Sequence, residues 1–193
     1  MKRKSFLIVA LALVFVLGLA LLDSPRIRWQ QRGETDGDRT VIAYIRGEAY
    51  AVDTVFLEDA YSFYRQTPEP HDEAWVKEFL VANELLYREA VAQGLEAGPE
   101  EVDEYIASLR EALPGDPEGY AELLDYLQER GLTEDEYWTV SREAIQKELS
   151  IEKLNEKLQA DYIIQHPTDL AYHDYYLSVY RPQLFDKYRV EML

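Results

Sequence analysis

The chain reads as a mainly α fold of about five to six helices with a small β element near its N-terminus. Three observations point there. Apolar residues recur at spacings of three and four along most of residues 54–180, the period of one helix face. Two helical patterns stop at Gly-Leu and restart at once behind acidic residues, in "REAVAQGLEAGPEEVDEYI" from Arg88 and in "LQERGLTEDEYWTV" from Leu127. β-prone alternation is confined to "VIAYIRGEAYAVD" and to the closing "KYRVEML".

Composition supports a packed core and excludes several chemistries. Hydrophobic residues make up 47% and charged residues 30%, which argues against disorder throughout. There is no cysteine, so disulfides, thiolate nucleophiles, cysteine zinc sites, iron–sulfur ligation and a lipidated cysteine are all excluded. The formal charge is −17. Residues 1–40 hold seven Lys/Arg and four Asp/Glu, and the remainder holds 13 and 33, so the body alone stands at −20. Such a body repels phosphate backbones, and nucleic acid is not an expected partner. The charge reads first as that of a solvated surface that keeps the body soluble; the alternative reading is attraction to cationic or unfolded basic clients.

The N-terminus opens with Lys2, Arg3 and Lys4, followed by seventeen uncharged residues from Phe6 to Leu22. As a helix this run spans roughly 26 Å, just short of the roughly 30 Å hydrocarbon core. It reads as a signal anchor, uncleaved because Leu21 and Leu22 continue the run past Gly18-Leu19-Ala20. Residues 1–22 are therefore the basic leader and membrane segment, with contact to the bilayer through 6–22. Residues 23–40 are polar and aperiodic and form a tether. Residues 41–193 form the helical domain, placed outside the cytoplasm, and secreted if the leader is cleaved.

Within the body, two short strands meet at a tight turn on Arg46-Gly47. Asp53 or Thr54 caps a helix through about Gln66, and "TPEPHD" breaks it. A long helix follows from Glu73 to about Gln93, with Trp75, Phe79, Ala82, Leu86 and Ala90 as its stripe. Gly94 closes it in the left-handed conformation and Leu95 folds back on the last turn, a Schellman ending. Pro99 starts the next helix, with Glu100 and Glu101 against the dipole and Val102, Tyr105, Ile106 and Leu109 inward. A fourth helix runs from Pro117 to Arg130 with Tyr120, Leu123, Leu124 and Leu127 inward. Gly131-Leu132 repeats the ending, and Thr133 with Glu136 forms a capping box. The fifth helix extends to about Leu158, with Val140, Ala144, Ile151, Leu154 and Leu158 inside. Asp169 caps a last helix through about Val179, which Pro182 interrupts.

These segments occur in a familiar order. "ELLYREAVAQGLEAGPEEVDEYI" and "LQERGLTEDEYWTVSREAIQKELSIEKL" resemble the two halves of the core of the SurA N-terminal-domain family. "VIAYIRGEAYAVDTVFLEDAY" is similar to the family's opening strand, Gly-Glu turn and first helix. "AYHDYYLSVYRPQLFDKYRV" resembles the segment that leads into the isomerase domain of PrsA-like foldases. The resemblance covers about residues 41–190. It implies an extracytoplasmic folding factor that holds unfolded or newly exported polypeptides. The chain stops where a parvulin-type domain would begin, so prolyl isomerase activity is not implied and the protein is expected not to be an enzyme.

No stretch carries a nucleotide-binding or nucleophile motif. Asp169 and His173, four apart, could share a metal, but a site needs three or four converging ligands; His71 and His166 stand beside prolines. No cofactor or metal is expected. The carboxylate pairs Glu100/Glu101 and Asp135/Glu136 are explained by the helix dipole. The richest candidate is aromatic: residues 161–193 hold six of the fifteen tyrosines. Tyr172, Tyr176 and Tyr180 fall on one stripe, with Tyr175 beside it and expected to stay exposed. These four either pack the helix onto the domain or line a surface for extended peptides. The expected function is non-catalytic binding of unfolded or exported polypeptide. The alternatives are a subunit that docks one defined partner in a membrane or secretion assembly, and an isomerase-related protein with residual activity.

Overall fold

The computed structural model describes residues 38–166 and 171–193. The apolar run at 6–22, the tether up to residue 37 and the Asp169 cap lie outside them. Among the described residues the chain is mainly helical with a small three-stranded sheet, and no helix is long and apolar enough to cross a membrane. The described residues divide into two compact units, one of 38–96 with those from 147 onward, the other of 97–146.

The first of these units starts with β1 (Arg39–Ile45) and β2 (Glu48–Asp53), antiparallel neighbours. Arg46 and Gly47 both have positive φ, 53° and 82°, as a two-residue hairpin turn of the primed type requires. Arginine is a strained choice there. It is held by its own N–H donating to the Tyr188 carbonyl at 2.9 Å and by its guanidinium lying 4.7 Å from the centre of the Tyr188 ring. A register shift between Val41 and Ala43 lets the consecutive residues Ile42 and Ala43 both turn into the core. The C-terminal β3 (Val190–Met192) pairs antiparallel with β1, giving the order β2-β1-β3.

Asp53 caps α1 (Thr54–Arg65) by accepting from the Phe56 N–H, and Asp72 caps α2 (Glu73–Ala92) by accepting from the Trp75 N–H. The inner face of α2 differs from the expected stripe. Val76, Val81, Ala82, Leu85, Leu86, Glu89 and Ala90 are buried, whereas Trp75 and Phe79 are half-buried. Ala82, Leu86 and Ala90 of the expected stripe are inside, and it is only at the start of the helix that the face shifts, where the two rings stack on one another. Ile42, Ile45, Leu57, Val81, Leu85, Leu154 and Leu184 form the centre of this unit's core.

The second unit is built from α3 (Pro99–Ala112), a 3₁₀ turn (Leu113–Gly115), α4 (Pro117–Arg130) and the start of α5 (Glu134–Gln165), a helix that changes unit after Gln146. Val102, Ile106, Leu109, Leu113, Leu123, Leu127, Tyr137, Trp138 and Ile145 are buried in it. Tyr105 and Tyr120 are half-buried, but Leu124 is 45% exposed, contrary to its expected inward position. A carboxylate organises the interior. Glu134 accepts from Trp138 Nε1 and Tyr120 Oη, each at 3.1 Å, and faces Arg110 at 3.4 Å.

Helix α5 runs seven residues past its expected end, because nothing between Leu158 and His166 breaks it. Its buried positions are Tyr137, Trp138, Ser141, Ile145, Ser150, Leu154 and Tyr162, so of the predicted stripe only Leu154 is fully inside. The tail is α6 (Tyr172–Tyr175), a π turn (Tyr176–Tyr180) and α7 (Arg181–Tyr188) in direct succession. Pro182 therefore does not end the helix. The wider π turn just before it takes the proline ring without the clash that an α turn would impose.

Both helix joints form as the punctuation implies. Gly94 has φ +70°, the Leu95 N–H donates to the Ala90 carbonyl at 2.9 Å and the Gly94 N–H to that of Val91 at 3.0 Å. Gly131 has φ +65°, with Leu132 donating to Leu127 at 2.9 Å and Gly131 to Gln128 at 3.2 Å. These are the two bonds of the Schellman motif. Thr133 and Glu136 complete the capping box, Thr133 N–H to Glu136 at 2.8 Å and Glu136 N–H to Thr133 Oγ1 at 3.3 Å.

A Cβ at Gly131 meets no atom within 4 Å, so its cost is that of the left-handed backbone alone. Gly131→Ala is expected to lower stability by about 1 kcal/mol in chemical denaturation. Gly115→Ala, where the space is equally open and φ is ordinary, is expected to change it by less than about 0.5 kcal/mol. Equal losses at the two sites would show that the αL joint is not the cause.

Candidate functional site

The four tyrosines of the tail are brought together, though not as a free stripe. Tyr172, Tyr175, Tyr176 and Tyr180 are all half-buried. Tyr176 and Tyr180 stack at 6.1 Å and pack against the core, as does part of α7. Tyr175 is not exposed as its position off the stripe implies. Its ring lies 4.9 Å from that of buried Tyr162, because the π turn that follows rotates the tail relative to an unbroken helix. Tyr172 lies 5.7 Å from Tyr162 and donates weakly to the Asn155 carbonyl at 3.4 Å. His166 tilts against Tyr162 at 4.6 Å.

Burial raises the pKa of Tyr172, Tyr176 and Tyr180, and for Tyr180 the nearby Glu89 charge adds to it. All three are neutral hydroxyls at physiological pH, suited to contact and not to proton transfer. On the outward side of the tail Leu177, at 43% exposure, and Val179, at 40%, stand with exposed His173, Asp174 and Ser178. The site is thus a tyrosine layer whose inner rings are core and whose outer boundary is an apolar rim.

Beneath it lies a buried carboxylate that the sequence did not single out. Glu89 on α2 accepts from Lys187 Nζ, from Tyr188 Oη at 3.2 Å and from Gln93 Nε2 at 2.8 Å. Burial acts to raise its pKa. The hydrogen bonds from Lys187 and Gln93, the Lys187 charge and the Tyr188 hydroxyl outweigh burial and hold the carboxyl below its ordinary value. Only its position on the inner face of α2, at i+3 and i+4 from Leu86 and Leu85, hinted that it would be buried. The partners Lys187 and Tyr188, nearly a hundred residues away, could not be read.

Glu148 on α5 behaves oppositely. Burial, with a smaller contribution from the Glu152 charge one turn on, pushes its carboxyl up to about 7. A second aromatic group stands on α1, α2 and the loop between them. His71 stacks on Trp75 at 3.7 Å, Trp75 stacks on Phe79 at 5.2 Å, and Tyr64 meets His71 and Phe79 edge-on and Trp75 at a tilt. The sequence marked Trp75 and Phe79 only as core. Their spacing to Tyr64 was legible, but the fold of the intervening loop was not.

His173 is exposed on α6, and its suggested partner Asp169 lies outside the described residues. Among the described residues no group of three or more His, Asp or Glu side chains is placed to hold a metal ion. Comparison with protein-family models, with curated proteins and with solved structures finds no match. The likeness to the SurA N-terminal-domain family therefore rests on the sequence segments themselves.

Buried Glu89 and half-buried Glu148 set opposite edges of a pH window. The folded-state pKa of Glu89 is depressed, so its stabilisation is present above the ordinary value of 4.5 and is lost as pH falls through the folded value. That of Glu148 is raised, so stability is greatest below 4.5 and declines as pH rises through about 7. Glu148→Gln is expected to raise stability by about 2 kcal/mol at pH 8, with the gain shrinking toward zero near pH 4. Glu89→Gln is expected to lower it by about 2 kcal/mol at pH 7 and by less in acid. Denaturation midpoints across pH check both.

Proposed function

We propose that this protein is a membrane-anchored, extracytoplasmic, SurA-N-like chaperone that holds unfolded or exported polypeptides without catalysis. The observation that carries the reading is the tail. A half-buried tyrosine layer continues outward into exposed Leu177 and Val179. A surface that must accept many sequences needs broad apolar contact with few fixed polar demands, and tyrosine supplies large area at low entropic loss. The π turn supports it, since such turns recur where a helix carries function. The acidic body would keep the apolar rim in solution and favour basic stretches of client. The uncharged run at 6–22 supports anchoring, and the collinear likeness to the SurA N-terminal-domain family supports a folding role.

Full-length protein in detergent micelles is expected to suppress light scattering by a model protein diluted from denaturant. Leu177→Ser with Val179→Ser should weaken that suppression severalfold while changing stability by less than about 1 kcal/mol, because both side chains are exposed. Suppression that is absent in the parent, or unchanged in the double variant, would contradict the proposal.

A further inference from the structure

The loop between α1 and α2 carries a feature that the tail reading leaves unused. His71, Trp75 and Phe79 form a parallel stack, the planes inclined by only 10° and 6°. Tyr64 closes one side edge-on, and Phe63, 38% exposed, meets Tyr64 at 5.2 Å. None of these five rings belongs to the core cluster of their unit, and all keep solvent-accessible surface. The stack is also held rigidly. The His71 N–H donates to the Tyr64 carbonyl at 3.1 Å, Thr67 Oγ1 donates to the Tyr64 and Glu69 carbonyls, and Asp72 caps α2 directly below Trp75.

Charge defines what such a stack can accept. Residues 66–73, "QTPEPHDE", contain three carboxylates and no Lys or Arg. Glu69, Asp72 and Glu73 are exposed, and the nearest basic residue, Arg65, is engaged with Glu73. An anionic ligand is repelled, and Asp72 already occupies the helix N-terminus. A planar cation is attracted twice, by the ring faces and by the carboxylates.

We propose that this aromatic stack is a docking site for arginine side chains on extended segments of a partner polypeptide. The guanidinium extends the row of parallel planes while its N–H groups reach Glu69 or Asp72. A lysine ammonium, compact and strongly hydrated, satisfies only the charge. The site stands independently of the tail, since it uses neither its rings nor its apolar rim.

The test uses full-length protein in detergent micelles and three dye-labelled Gly/Ser peptides bearing evenly spaced arginines, lysines or glutamates. Anisotropy is expected to show the arginine peptide binding about fivefold more tightly than the lysine peptide, with no binding of the glutamate peptide. Trp75→Leu should abolish the preference for arginine over lysine. Glu69→Gln with Asp72→Asn, which retains a capping side chain, should weaken both cationic peptides and reduce the salt dependence. Circular dichroism confirms that each variant is folded. Equal affinity for arginine and lysine peptides, a preference that survives Trp75→Leu, or no binding of the arginine peptide would each overturn the proposal. Loss of the arginine preference in Leu177→Ser/Val179→Ser, with the stack intact, would also overturn it by placing the contact on the tail.

Discussion

Glu89 is the interaction on which the unit of residues 38–96 and those from 147 onward depends. Among the described residues it is the only charged side chain that is buried. A carboxylate in that position is tolerable only when its oxygens are satisfied, and two of its three partners, Lys187 and Tyr188, come from the end of the tail. The tail is thereby an obligatory part of the unit. Once Tyr188 is fixed, its carbonyl accepts from Arg46 and its ring carries the Arg46 guanidinium, so the strained hairpin turn is held by the same residue. Arg189 then turns the chain through a left-handed residue into β3, which completes the sheet on β1. One buried charge thus links a helix, a turn and a strand that are far apart in sequence.

The same anchoring explains the division of labour among the tyrosines. With α7 seated on Glu89, Tyr180 and Tyr176 are drawn against the core, and the π turn lets Tyr175 reach Tyr162. The large apolar side chains left outward are Leu177 and Val179. The proposed contact surface therefore sits on a rigid base, which would limit the entropy lost on binding. Tyr180 Oη is buried without a hydrogen-bond partner among the described residues, a sign that this layer is shaped by packing and not by polar recognition.

What could be read from the sequence follows the range of the interaction involved. The joints at Gly94 and Gly131 and the box of Thr133 with Glu136 close within six residues, so composition at fixed offsets specifies them. The hairpin at Arg46-Gly47 and the caps Asp53 and Asp72 belong to the same class. Helix faces were less legible. Leu124 fits its stripe by spacing yet is exposed, and Trp75 and Phe79 fit theirs yet stack on one another, with His71 on Trp75. Which side of a stripe is covered depends on neighbours that periodicity does not name. The Glu89 network, the π turn before Pro182 and the Tyr175–Tyr162 contact were not legible at all, since each needs the tail folded back on helices distant in sequence. Of the candidate site, the membership of the tyrosine group was readable and its inner and outer faces were not.

The central claim is that the outward face of the tail holds unfolded polypeptide of many sequences. Site-specific photo-crosslinking tests it directly. A photoreactive residue in place of Leu177 should capture several unrelated unfolded proteins, whereas the same residue in place of Leu124, an equally exposed leucine at 45%, should capture few or none. Equal capture at both positions, or capture of one folded partner alone at 177, would contradict the account.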